Sequence, residues 1–97
     1  MKKKIKIGAI TYSVKLKHVD GAMGITVYNR SEIRINKGME EMITLETLVH
    51  ELLHVAWMQA GHADKVDEGL IDGVAYVLLD SGVMDIKKLK RLLYEYP

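Results

Sequence analysis

The sequence predicts an α+β fold in which the strands come first and the helices follow. Apolar residues alternate with polar ones up to about residue 36, the period of a strand with one buried face. From about residue 44 the spacing changes to that of helices. The chain has 97 residues, 48% of them hydrophobic and 28% charged, which suits one folded domain over 1–97 and leaves no room for two cores.

The first segment, "KIKIGAITYSVKLK", sets Ile5 and Ile7 on one side and Lys4 and Lys6 on the other. Beyond Gly8 the alternation resumes with Tyr12, Val14 and Leu16, giving one bent strand or a hairpin. "HVDGAMG" reads as a loop. "ITVYN" and "EIRIN" read as short strands joined by a tight "NRS" turn, with Ile33 and Ile35 inward and Glu32 and Arg34 outward. Together these predict a small, mostly antiparallel sheet.

Residues 44–60 have apolar positions at 45, 48, 49, 52, 53, 56 and 60, one face of a helix. Thr44 is the expected N-cap and Gly61 the residue after the C-cap. A second helix is expected from Asp64 or Val66 to Leu79, ended near Gly82. Asp85 then caps a third, apolar at Ile86, Leu89, Leu92, Leu93 and Tyr96 and basic at Lys87, Lys88, Lys90 and Arg91. All three helices are expected on one side of the sheet.

The net charge of +1 and the acids mixed among the bases argue against nucleic acid as a partner. The apolar stretch after the basic start is short and broken by Lys6, Gly8 and Thr11, so the start reads as a strand, not a targeting segment, and no window is long enough to span a membrane. The chain has no cysteine, which excludes disulfides and thiolate metal sites and suits a cytoplasmic protein.

The middle of the first helix reads His50-Glu51-Leu52-Leu53-His54, an HExxH match. Four residues turn a helix by about 400°, so His50 and His54 stand one above the other and can meet at one ion. Glu51 lies roughly 60–100° round the helix, near that ion without being needed as a ligand. This is the position of a general base for an activated water. A leucine would serve the core better there, so the carboxylate asks for a chemical role.

A catalytic zinc takes a third protein ligand and leaves a position for water. His62 fits no extended pattern, because Trp57 and Ala60 stand where glycine and histidine would be needed. Asp64 and Asp67 flank the second helix. Glu68, in that helix's first turns, comes near His54 if the two helices pack antiparallel. Gly69 and Gly73 are expected to let the two helices approach closely. Asp72, one turn after Glu68, can accept the other ring N–H of a ligating histidine.

"HELLH" at 50–54 followed by "EGLID" at 68–72 resembles the gluzincin clan of zinc metallopeptidases. The small size and the strand-then-helix order are similar to minimal gluzincins and to the compact zincin-like proteins of phages and prophages, including the ImmA/IrrE-type group. The resemblance covers about residues 25–80. It implies a zincin-like fold in which His50, His54 and Glu68 hold one Zn2+, Glu51 is the general base and acid, and Asp72 orients His50. Larger gluzincins have a further subdomain whose histidine or tyrosine stabilises the transition state, and His62, Tyr76 and Tyr28 are the candidates here. The expected activity is endopeptidase cleavage of a protein or peptide held along a free sheet edge within 25–36. The alternative is a zinc-stabilised binding module using the same ligands. Residues 94–97, "YEYP", could fold back over a cleft.

Overall fold

A computed structural model of the chain describes residues 3–94. Strands β1 (Lys4–Ile7), β2 (Ile10–Leu16), β3 (Gly24–Val27) and β4 (Glu32–Ile35) precede helices α1 (Glu41–Gln59), α2 (Glu68–Asp80) and α3 (Ile86–Leu93). The architecture is α+β, as the sequence predicts.

β1 and β2 form a hairpin whose two-residue turn uses positive φ at Gly8. The sheet order is β1-β2-β4-β3. β1–β2 and β3–β4 are antiparallel and β2 and β4 run parallel, so the sheet is mixed, with two of its three pairings antiparallel as expected. The reason lies in the loop after β2, which carries the chain past the space beside β2. β3 becomes the outer strand, and β4 returns into the gap. One 3-10 turn at Tyr28–Arg30 and a left-handed Ser31 reverse the chain between them, so Tyr28 belongs to the turn and not to the strand.

One face of the sheet presents Tyr12, Val14, Ile33 and Ile35 to Leu45, Leu48, Val49 and Val55 of α1 and to Leu89, Leu92 and Leu93 of α3. The opposite face bears Lys4, Lys6, Lys15, Glu32 and Arg34, and no helix of the described residues packs on it. Gly24 brings β3 against α1, for a Cβ there would lie 2.7 Å from Thr47 Cγ2 and 3.1 Å from the Arg34 carbonyl oxygen.

The helix ends depart from expectation in two places. α1 begins at Glu41, before Thr44. Thr44 is buried, and its hydroxyl donates to the Glu40 carbonyl at 2.9 Å, so it is an interior residue and not the cap. The other end matches: Gly61, at φ +85°, and His62 donate to the carbonyls of Met58 and Trp57 and close a Schellman motif. α2 begins at Glu68, later than Asp64 or Val66, because Val66 is extended and Asp67 accepts the Leu70 N–H at 3.1 Å as N-cap. Asp85 caps α3 as expected, accepting from Lys88 N–H.

Gly69 and Gly73 do not mediate close helix packing. Both are exposed, and a Cβ on Gly73 would meet nothing within 4 Å. The buried residues of α2 are Ile71 and Ala75. Tyr96 and most of the 94–97 segment lie outside the described residues. No helix among the described residues is long and apolar enough to cross a membrane.

On the outer sheet face, Glu32 is bonded by Arg34 and lies 3.1 Å from Lys15. The Arg34 hydrogen bond, against the effect of burial and with help from Lys15, lowers the Glu32 pKa from 4.5 to about 2. Its ionisation therefore stabilises the fold above pH 4.5, and that contribution is lost as pH falls from 4.5 towards 2. Only the neighbouring side chains cover the pair, so solvent screening limits the effect to about 1 kcal/mol. In urea titrations Glu32→Gln should be the less stable form at pH 7, with the gap roughly halved near pH 3. An equal gap at both pH values would deny that ionisation a role.

Candidate metal centre

His50 and His54 project from the middle of α1 towards the first turn of α2, and both side chains are 18% exposed. Glu68 reaches them from the rim. Its two carboxylate oxygens lie 2.8 Å from His54 Nε2 and 3.1 Å from His50 Nε2. The two Nε2 atoms are 3.0 Å apart, with the rings edge-on at 61°. Around an ion with bonds of 2.0–2.1 Å, tetrahedral ligand atoms stand roughly 3.3 Å apart, so a few tenths of an ångström of outward movement accommodates one. The three residues lie close enough together to hold a metal ion.

The donor chemistry fits a cation. His50 Nδ1 is 2.7 Å from Asp72 Oδ1. With its N–H donating there, the neutral ring leaves a lone pair on Nε2. That lone pair faces His54 Nε2 and a Glu68 oxygen. Atoms converging in this way share either a hydrogen, as when His54 Nε2–H donates to Glu68, or a cation that takes its place. The sequence explains the arrangement locally. Asp67 caps α2, which makes Glu68 its first residue, and a carboxylate is favoured at a helix N-terminus. Asp72 follows one turn later, at the height of His50. Asp72→Ala should weaken metal binding about 10–100-fold, read by competition with a chromophoric chelator. Unchanged affinity would remove Asp72 from its positioning role.

Glu51 faces the other wall. It is 7% exposed, and its Oε1 accepts a hydrogen bond from Thr26 Oγ1 of β3 at 2.8 Å. The close approach at Gly24 brings β3 near enough for this bond. Glu51, both histidines, Glu68 and Asp72 line one cleft of about 690 Å³ between β3, α1 and α2. Tyr28 lines it as well, and burial, followed by the Glu51 and Tyr12 charges, raises the pKa of its phenol, so it stays a proton donor at neutral pH. His62 and Tyr76 do not line the cleft: His62 sits before the 3-10 turn at Ala63–Lys65, and Tyr76 is exposed on α2.

Of the two strands within 25–36, β3 is an edge and β4 is interior. Thr26 and Glu46 also line the cleft, and neither is a site residue that the sequence predicts. Thr26 carries no signal beyond its place in a strand. Glu46 lines the cleft one turn before His50, and its i, i+4 relation to that histidine was the available sign.

No protein-family model, no curated protein and no solved structure matches the chain.

Proposed function

We propose that the chain is a zinc endopeptidase of minimal gluzincin type with a zincin-like fold. The observation that carries this reading is Glu51, a buried carboxylate held by Thr26 in the wall of the cleft into which His50, His54 and Glu68 converge. Two imidazoles and one carboxylate, in a chain without cysteine, form a donor set suited to zinc. An ion there would acidify a water and polarise a substrate carbonyl.

The chain's own groups would do the rest. Glu51 takes a proton from the attacking water as the new C–O bond forms. It returns the proton to the amine nitrogen as the C–N bond breaks. Tyr28 donates its phenolic hydrogen to the carbonyl oxygen as negative charge develops there. β3 offers its free edge to an extended peptide, whose main chain supplies the bonds that hold it. Asp72 fixes the tautomer of His50.

The alternative, a zinc-stabilised binding module, gives Glu51 no task beyond the Thr26 hydrogen bond, which an amide would serve as well. A structural zinc site is closed, whereas Glu68 is 62% exposed at the rim of an open cleft. The test is incubation of the zinc-loaded protein with an unfolded protein substrate and mass spectrometry of the products. New termini that disappear on chelation support the peptidase. An intact substrate overturns it.

A further inference from the structure

We propose that Glu46 is a specificity-determining residue, and that the cleft selects peptides with a lysine or arginine about two residues from the bond cleaved. This rests on the peptidase reading above.

Among the described residues four carboxylates line the cleft, Glu46, Glu51, Glu68 and Asp72, and no lysine or arginine does. Three of them have partners: Glu68 faces the two imidazoles, Asp72 faces His50 Nδ1, and Glu51 accepts from Thr26. Glu46 forms no hydrogen bond or ion pair with any described residue, although it is half-buried. A partly desolvated carboxylate that faces an opening without a partner has its acceptor capacity free for what enters. A divalent ion would neutralise two of the four charges, and the cleft would stay anionic.

The geometry sets the position. Gly24 lies against Thr47 and Thr26 against Glu51, so β3 and α1 run in the same direction along the cleft. Glu46 stands about 6 Å along the helix axis from His50, towards the Gly24 end. An extended peptide advances about 3.3 Å per residue, so the side chain reaching Glu46 belongs about two residues from the carbonyl at the histidines. Ile43 and Met23 line the same end and can pack along the methylenes of a long basic side chain while its charge meets the carboxylate.

The test uses short unstructured peptides identical except for lysine, norleucine or glutamate at one position. Cleavage is measured with zinc-loaded protein. Binding is measured by fluorescence anisotropy in a zinc-loaded Glu51→Gln background, where turnover does not interfere. Each is compared for Glu46→Gln and for Glu40→Gln, which removes the same charge outside the cleft. The expected result is a preference for lysine over norleucine of about tenfold, the scale of one charge-assisted hydrogen bond. Glu46→Gln should abolish it and Glu40→Gln should keep it.

Absence of a preference, or its survival in Glu46→Gln, overturns the proposal, and continued cleavage would then leave the peptidase reading intact. If Glu46-dependent binding appears but the wild type cleaves no peptide, the cationic subsite stands and the peptidase reading falls.

Discussion

Glu51→Gln should lower peptide hydrolysis by about 10²–10⁴-fold, the usual range for a positioned acid–base group, with no loss of bound metal. The substitution keeps the shape of the side chain. An amide oxygen can still accept from Thr26 Oγ1, so the contact between β3 and α1 is retained. The three residues that could hold a metal, His50, His54 and Glu68, are untouched. What disappears is a group able to take a proton from water and hand it on. Initial rates on a quenched peptide, together with metal content by atomic emission, separate the two effects. Undiminished hydrolysis at full metal content would sink the mechanism. A variant that lost its metal would show that Glu51 helps to build the site.

The second large effect concerns the ion. A ligand that binds only the folded chain stabilises it by about 2.7 kcal/mol when present at 100 times its Kd. For a chain of this size that is a rise in Tm of roughly 10–20 °C. Zinc should therefore raise the midpoint of the wild type strongly, and His54→Ala or Glu68→Ala should lose most of that rise. The metal-free midpoint of Glu68→Ala should stay near that of the wild type, whereas His54→Ala also removes a largely buried side chain. Glu68 is the more informative variant because it is exposed, so its loss leaves no cavity. A wild type indifferent to zinc, manganese, cobalt and nickel would dismiss the centre altogether.

Much of this was written in local pattern. The alternation in β1, β2 and β4 gave the faces of the sheet, because side chains in a strand point to opposite sides. His50 and His54 were legible because four residues on a helix fix their relation whatever the rest does. Glu68 and Asp72 were legible as a pair for the same reason, once antiparallel packing of α2 on α1 was assumed.

The strand order was not legible. Whether β3 or β4 lies beside β2 depends on where a loop is carried, and no periodicity records that. The start of α1 was misplaced because Thr44 has the chemistry of a cap, while its burial in the core decides its position. Gly73 suggested close packing, yet it faces open space, and the glycine that does permit an approach is Gly24, which reads as part of a loop. Glu46 was overlooked because a charged residue on an amphipathic helix ordinarily meets water.

The three side chains that could hold a metal and the carboxylate behind His50 all fall between residues 50 and 72, within two helices that are neighbours in the chain. Closing so short a span costs little loop entropy, so an ion could cross-link this helical hairpin before the distant strands had paired. Glu51 depends instead on Thr26, which comes from the far side of that pairing. Capture of metal and competence for catalysis would thus arise at different stages as the chain folds, with the β3–α1 contact completing the second.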